Sequence, residues 1–190
     1  MILVVGLIIF LGIHSISIVA PTFRDGMAAR LGAGPWRGVY SLISLVGFVL
    51  LIWGYGLARR EPVVLYSPPF WTRDVTALLM LPVFPLLFAP YFPGRIKATL
   101  KHPMLVAVKL WAVAHLISNG MLADVVLFGG FLAWAVADRI SFKHRTQRPL
   151  QGAPPSPRND VIVVVVGLAL YVLFVFWLHQ KLIGVPPIPL

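Results

Sequence analysis

The chain has 190 residues, 59% of them hydrophobic, a net charge of +10 and no cysteine. That apolar share exceeds the roughly 45–50% of a soluble domain, and the basic residues stand in short stretches between apolar runs, so the charge is that of membrane-protein loops and not of a nucleic-acid surface. Without cysteine, disulfides, thiolate-bound zinc, iron–sulfur clusters and thioether-linked haem are excluded.

Apolar runs of about 18 or more residues predict transmembrane helices. Six are predicted, at roughly 1–20, 38–58, 72–92, 103–119, 121–138 and 160–183. The expected fold class is all-α: a polytopic transmembrane helical bundle of about six helices, with residues 1–190 as a single domain in contact with the lipid bilayer. The first run, "MILVVGLIIFLGIHSISIVA", has no basic residue ahead of it and no small-residue cleavage pattern, so it reads as a retained helix. The third run holds Pro82, Pro85 and Pro90, with Pro93 just beyond. Each proline removes an N–H donor and crowds the preceding turn, so this helix is expected to be kinked or broken. Ser118, Asn119 and Gly120 are read as a tight helical hairpin turn joining the fourth and fifth runs. Residues at about 143–159, basic and proline-rich without periodicity, read as a flexible linker.

Loop charge predicts the topology. Segments at about 21–37, 93–102 and 139–159 carry Arg24, Arg30, Arg37, Arg95, Lys97, Lys101, Arg139, Lys143, Arg145, Arg148 and Arg158. The opposite side carries Arg59, Arg60 and Arg73, with Lys181 near the end. The first group is expected in the cytoplasm, which puts both termini outside.

Neither a phosphate-binding loop nor a dinucleotide fingerprint occurs, and the six acidic residues are scattered, so no paired-carboxylate chemistry can be argued. Ionisable groups inside the membrane are costly and mark sites by default. His14 lies in the first run, and His115 lies deep in the fourth, one turn after Trp111 and one before Asn119. A hairpin at Asn119 and Gly120 would bring His115 opposite Asp124. Two readings of that pair stand: a structural Asp–His pair, or a metal ligand oriented by a carboxylate. The same hairpin sets His102, in "LKHPML", opposite Asp138 and Arg139, where a structural or gating role suits it. Lys109 either snorkels or neutralises an acidic ligand group such as a propionate. His144 and His179, in a loop and at a span end, are not read as ligands. Two intramembrane histidines on separate helices suit a haem b held by an imidazole on each face, with His14 and His115 as metal ligands.

The segments "GIHS", "LGAGPWRGVYSLISLVGFVLLIWGYGLAR" and "LKHPMLVAVKLWAVAHLISNGMLADVVLFGGFLAWAVADRIS" resemble the NnrU family of bacterial membrane proteins over most of the chain outside the linker. That family takes its name from a gene found with nitrite and nitric oxide reduction genes, and it is similar to the haem-dependent zeta-carotene isomerase. The resemblance implies a bacterial inner-membrane protein with haem b and with His14 and His115 at the haem. It implies redox chemistry, either linked to denitrification or a cis–trans isomerisation, on a lipophilic or small gaseous ligand. The isomerase carries a cysteine three residues before its second histidine; Ala112 stands there in this chain.

Two other readings compete. "KHPML" resembles the start of a helix in S-adenosylmethionine-dependent membrane methyltransferases of the isoprenylcysteine type, although the one glutamate, Glu61, stands in a different loop from theirs. The glycine-rich face "GFVLLIWGYG" suits close packing on a partner helix, as in a non-enzymatic accessory protein of nitrite and nitric oxide respiration or a homo-oligomer.

Overall fold

Crossing a hydrocarbon core of about 30 Å takes about 20 apolar residues. Three helical stretches meet that requirement by length and composition: Ile2–Val19, Ala33–Ala58 and Arg158–Ile183. The computed structural model describes residues 1–145 and 150–188, which are helical apart from turns, connecting segments and one isolated bridge between Val64 and Met121. Large apolar side chains such as Ile8, Ile52 and Val165 stand more than half exposed on the three long helices, as lipid-facing positions do. The chain folds as two units, each built from two stretches: Met1–Tyr66 with Met121–Gln147, and Ser67–Gly120 with Arg148–Leu190.

In the first unit, α1 (Ile2–Val19) packs on α3 (Ala33–Ala58), and α8 (Leu122–Ser141) packs on both. Glycine sets the spacing of the first pair. A Cβ on Gly6 would lie 2.5 Å from Leu51 N, and one on Gly47 would lie 2.7 Å from Phe10 N. One on Gly54 would lie 2.6 Å from Leu3 Cα, so backbone rests on backbone at three levels. These contacts run in opposite chain directions, which makes α1 and α3 antiparallel. The glycine face of α3, expected to meet a partner helix, is thus filled at Gly47 and Gly54 by the chain's own first helix, while Gly56 meets nothing within 4 Å.

The stretch at 21–37, read from sequence as a loop, is largely helical: α2 (Pro21–Leu31) follows α1 directly, and α3 has begun by Ala33. Its prolines explain why. Pro21 and Pro35 both fall in first turns, where the missing N–H has no helical partner to lose. Gly32, at φ 87°, separates the two helices. At the other end of the unit Asn119 and Met121 are extended, and Leu122 N donates to Val63 O at 2.8 Å. The turn expected at Ser118–Gly120 is a connection of three residues, Asn119 to Met121, whose Met121 pairs with Val64.

In the second unit the proline-rich run is broken, as expected. It forms α4 (Thr72–Met80) and α5 (Val83–Phe88), interrupted at Leu81 and Pro82. Then come α6 (Arg95–Leu100) and α7 (Pro103–Ser118), an apolar helix that at 16 residues is shorter than the three long ones. α9 (Arg158–Leu173) continues through a π-helical turn (Phe174–Leu178) into α10 (His179–Ile183). Its buried stripe, Asn159, Val163, Gly167 and Tyr171, repeats every four residues, and Gly167 accommodates the Pro85 ring. The Tyr171 hydroxyl donates to Ala77 O at 2.9 Å. Interhelical hydrogen bonds of this kind hold helices where lipid supplies no hydrophobic drive.

Of the linker expected at about 143–159, residues 146–149 lie outside the described residues. Beyond them the chain is fastened to the turn after α5. Ala153 N donates to Tyr91 O at 2.8 Å, and Asn159 Nδ2 donates to Pro93 O and Pro154 O, each at 2.9 Å. Asp160 accepts from Arg95 N and Ile96 N at the start of α6. Between α6 and α7, Lys101 sits at φ 60° and ψ −48°, with His102 N bonded to Leu100 O at 2.6 Å. This is a γ-turn of the strained, positive-φ kind.

Two substitutions check this packing, each read by thermal unfolding followed with tryptophan fluorescence. Gly54→Ala should cost about 1–3 kcal/mol by forcing α1 off α3, whereas Gly56→Ala should cost nothing. Lys101→Gly should stabilise by about 1 kcal/mol, because glycine holds a positive φ without strain.

Candidate functional site

Polar groups gather at two levels of the first unit. The upper level is built on His14, one turn after Phe10 on α1. Its Nδ1–H donates to Phe10 O at 2.6 Å, which leaves Nε2 as the unprotonated nitrogen. Nε2 has no hydrogen-bond partner among the described residues. The ring lies 4.3 Å from that of Phe10, 5.3 Å from Tyr40 on α3 and 6.0 Å from Trp134 on α8. His14 lines a hollow of about 320 Å³ with Phe10, Tyr40, Ser44, Leu45 and Phe48. Nearby, Trp134 Nε1 and Ser44 Oγ are buried without a hydrogen-bond partner of good geometry among the described residues. Such groups normally find partners, so this end of the unit holds unspent hydrogen-bonding capacity beside the imidazole.

The other level is built on Asp124, 1% exposed in the first turn of α8. Oδ1 accepts from the Tyr55 hydroxyl at 2.6 Å, and Oδ2 accepts from Met121 N at 3.0 Å. The carboxylate also faces the positive end of its own helix. Arg59 stands over the Tyr55 ring at 5.8 Å. In the segment after α3, burial and then the Asp124 charge raise the Tyr66 phenol above its usual range. Asp124 and His14 do not share a site. Asp124 lies at the Leu3 and Tyr55 end of the unit, and His14 is eleven residues further along α1 than Leu3, or about 16 Å.

His115, Lys109 and His102 belong to the second unit, all on or at the start of α7. His115 Nδ1–H donates to Trp111 O at 2.8 Å, and its ring lies 5.6 Å from the Trp111 ring. The arrangement repeats that of His14: an aromatic residue four positions earlier supplies both the carbonyl and the flanking ring. Next to it, Ala114 O accepts from Thr76 Oγ1 of α4 at 2.8 Å. Ala112 is fully buried, so its methyl group is part of the packing. His102 caps the start of α7 thirteen residues before His115, about 20 Å along the axis. Lys109 lies between them and is half-buried.

Sequence reasoning missed Tyr40, Trp134 and Tyr55, which complete the two levels. They come from other helices at no fixed spacing, so no local pattern announces them. Among the described residues no three His, Asp or Glu side chains gather as a metal-binding group. A family model described as NnrU protein matches residues 2–187. No curated protein and no solved structure matches the chain.

The buried carboxylate is directly testable. Tyr55→Phe and Asp124→Ala, singly and together, form a double-mutant cycle. A coupling of about 1–2 kcal/mol is expected in thermal unfolding, because each single change strands a buried partner. A coupling near zero would mean that the two groups do not share a hydrogen bond.

Proposed function

The chain belongs to the NnrU family of membrane proteins, and on that footing we propose that it binds haem b and serves redox chemistry in the bacterial inner membrane. In this reading the helices cross the bilayer six times with both termini in the periplasm, and His14 and His115 are the iron ligands. The observation that carries it is the state of His14: Nδ1 is committed to Phe10 O and Nε2 is left unpartnered on an aromatic-walled hollow.

The residues of the first unit fit such a group. A ligating imidazole needs its second nitrogen hydrogen-bonded so that tautomer and ring orientation are fixed, and Phe10 O does this. Phe10, Tyr40 and Phe48 offer flat apolar surface, and Trp134 Nε1 offers an unspent donor nearby. His115 has the same Nδ1 arrangement on Trp111 O. Its part as second ligand rests on the sequence resemblance, while Lys109 as a propionate counter-charge and Asp124 and His102 as accessory groups are read from their positions along the sequence.

When bound, the haem would supply a one-electron couple, and a lipophilic or small gaseous ligand could meet the iron only where one of the two histidines yields its place. The protein's part would be to hold the imidazole tautomer, to keep water from the apolar face, and to place hydrogen-bond donors beside it. With Ala112 in place of a thiol, this chain has no sulfur ligand to exchange at that position. The methyltransferase reading gains nothing from the fold, since Glu61 is an exposed residue.

Protein purified in detergent from haem-replete cells should show a Soret band that sharpens and shifts on reduction. His14→Ala and His115→Ala should each change both the oxidised and the reduced spectrum, whereas His144→Ala should change neither. A well-folded preparation with no Soret band would refute the proposal.

A further inference from the structure

The hollow beside His14 does not end at Tyr40. It shares Tyr40 and Ser41 with a second hollow of about 370 Å³, which Ser17, Trp36, Arg24 and Arg37 line as well. The pair forms one groove over α1, α2 and α3 of the first unit. One end is apolar, with Leu45 57% and Phe48 49% exposed, so it lies open to lipid. The other end has two guanidinium groups. Arg24 shares its charge with Asp25 at 2.9 Å, and Arg37 is exposed with no ion pair among the described residues. Serine hydroxyls, Ser17 and Ser41, lie between the two ends.

We infer that this groove binds an amphiphile by its acid group: Arg24 and Arg37 hold a carboxylate or phosphate while the apolar body lies along His14, Leu45 and Phe48. Guanidinium suits this task because its planar fork meets two acid oxygens at once and keeps its charge at every accessible pH. The gradient from paired cations to lipid-exposed apolar walls matches a molecule with one charged end. Two sources present the same chemistry, a haem propionate and the head of an acidic phospholipid. The inference rests on the haem reading for the first source and stands without it for the second.

The test uses the full chain in detergent. Haem-free protein is titrated with haem and with haem dimethyl ester, read by absorbance. Lipid-stripped protein is mixed with phosphatidylglycerol or phosphatidylcholine, read by native mass spectrometry. For the propionate source, wild type should prefer haem to its ester by about ten-fold, the scale of one charge-assisted hydrogen bond. Replacing both arginines (Arg24→Gln with Arg37→Gln) should erase that preference, and Arg60→Gln, past the far end of α3, should leave it. For the phospholipid source, retention of phosphatidylglycerol over phosphatidylcholine should depend on the same two arginines. Failure to take up haem at all removes the haem reading and leaves the lipid result to decide. If neither the haem preference nor the lipid preference depends on these arginines, the inference is overturned. Arg37→Gln alone, at an exposed position, guards against a double variant that fails to fold.

Discussion

The contact of backbone on backbone between α1 and α3 is the constraint on which the first unit depends. In lipid the helices gain nothing from apolar burial as such, so they associate through close packing and hydrogen bonds. Gly6, Gly47 and Gly54 allow that closeness at three levels, and the register they set is strict because the opposing atoms are backbone. The two polar levels follow from it. With Phe10 seated on Gly47, the next turn of α1 carries His14 to Tyr40. With Leu3 seated on Gly54, the adjacent Tyr55 is placed to reach Asp124 on α8. A methyl group at Gly54 would disturb more than local packing, since it bears on the same register that places both tyrosines.

The two levels differ in how completely they are satisfied. A buried polar group without a partner is costly, the more so in lipid. Asp124 has an acceptor bond on each oxygen and a helix N-terminus behind it, so its cost of burial is met inside the unit. Around His14 the balance is different: an imidazole nitrogen and an indole N–H lack partners among the described residues. A structural reading accounts for the first level in full and leaves the second with unspent capacity. That contrast distinguishes the two levels more sharply than the residue types do.

Much of this was legible in the sequence and some was not. Helical class followed from hydropathy, and the break at Pro82 followed from the chemistry of proline. Long-range partners were another matter. Gly47 and Gly54 were legible as a close-packing face, but not as a seat for α1, because a face does not name its occupant. The short connection at Ser118–Gly120 was legible, but not that Asn119 and Met121 are extended or that Met121 pairs with Val64, more than fifty residues earlier. The stretch at 21–37 read as a loop because its charges and prolines resemble those of one, although both prolines fall in first turns.

The roles open to Asp124 can be narrowed by counting nitrogens. An imidazole has two, and a metal takes one of them, so a carboxylate that orients a ligand must hold the other. In this chain that other nitrogen is already held. Nδ1 of His14 and Nδ1 of His115 each donate to the carbonyl four residues earlier in the same helix. A carboxylate bonded to His115 would therefore have to bind Nε2, the nitrogen a metal needs. Pairing with Asp124 and ligation become alternatives, where the sequence alone allowed one to assist the other. Each ring is held by its own helix, through the repeated arrangement Phe10-x-x-x-His14 and Trp111-x-x-x-His115. Such a device needs no acidic group in the membrane, and it suits a chain that has only six acidic residues, one of which is already committed to Tyr55.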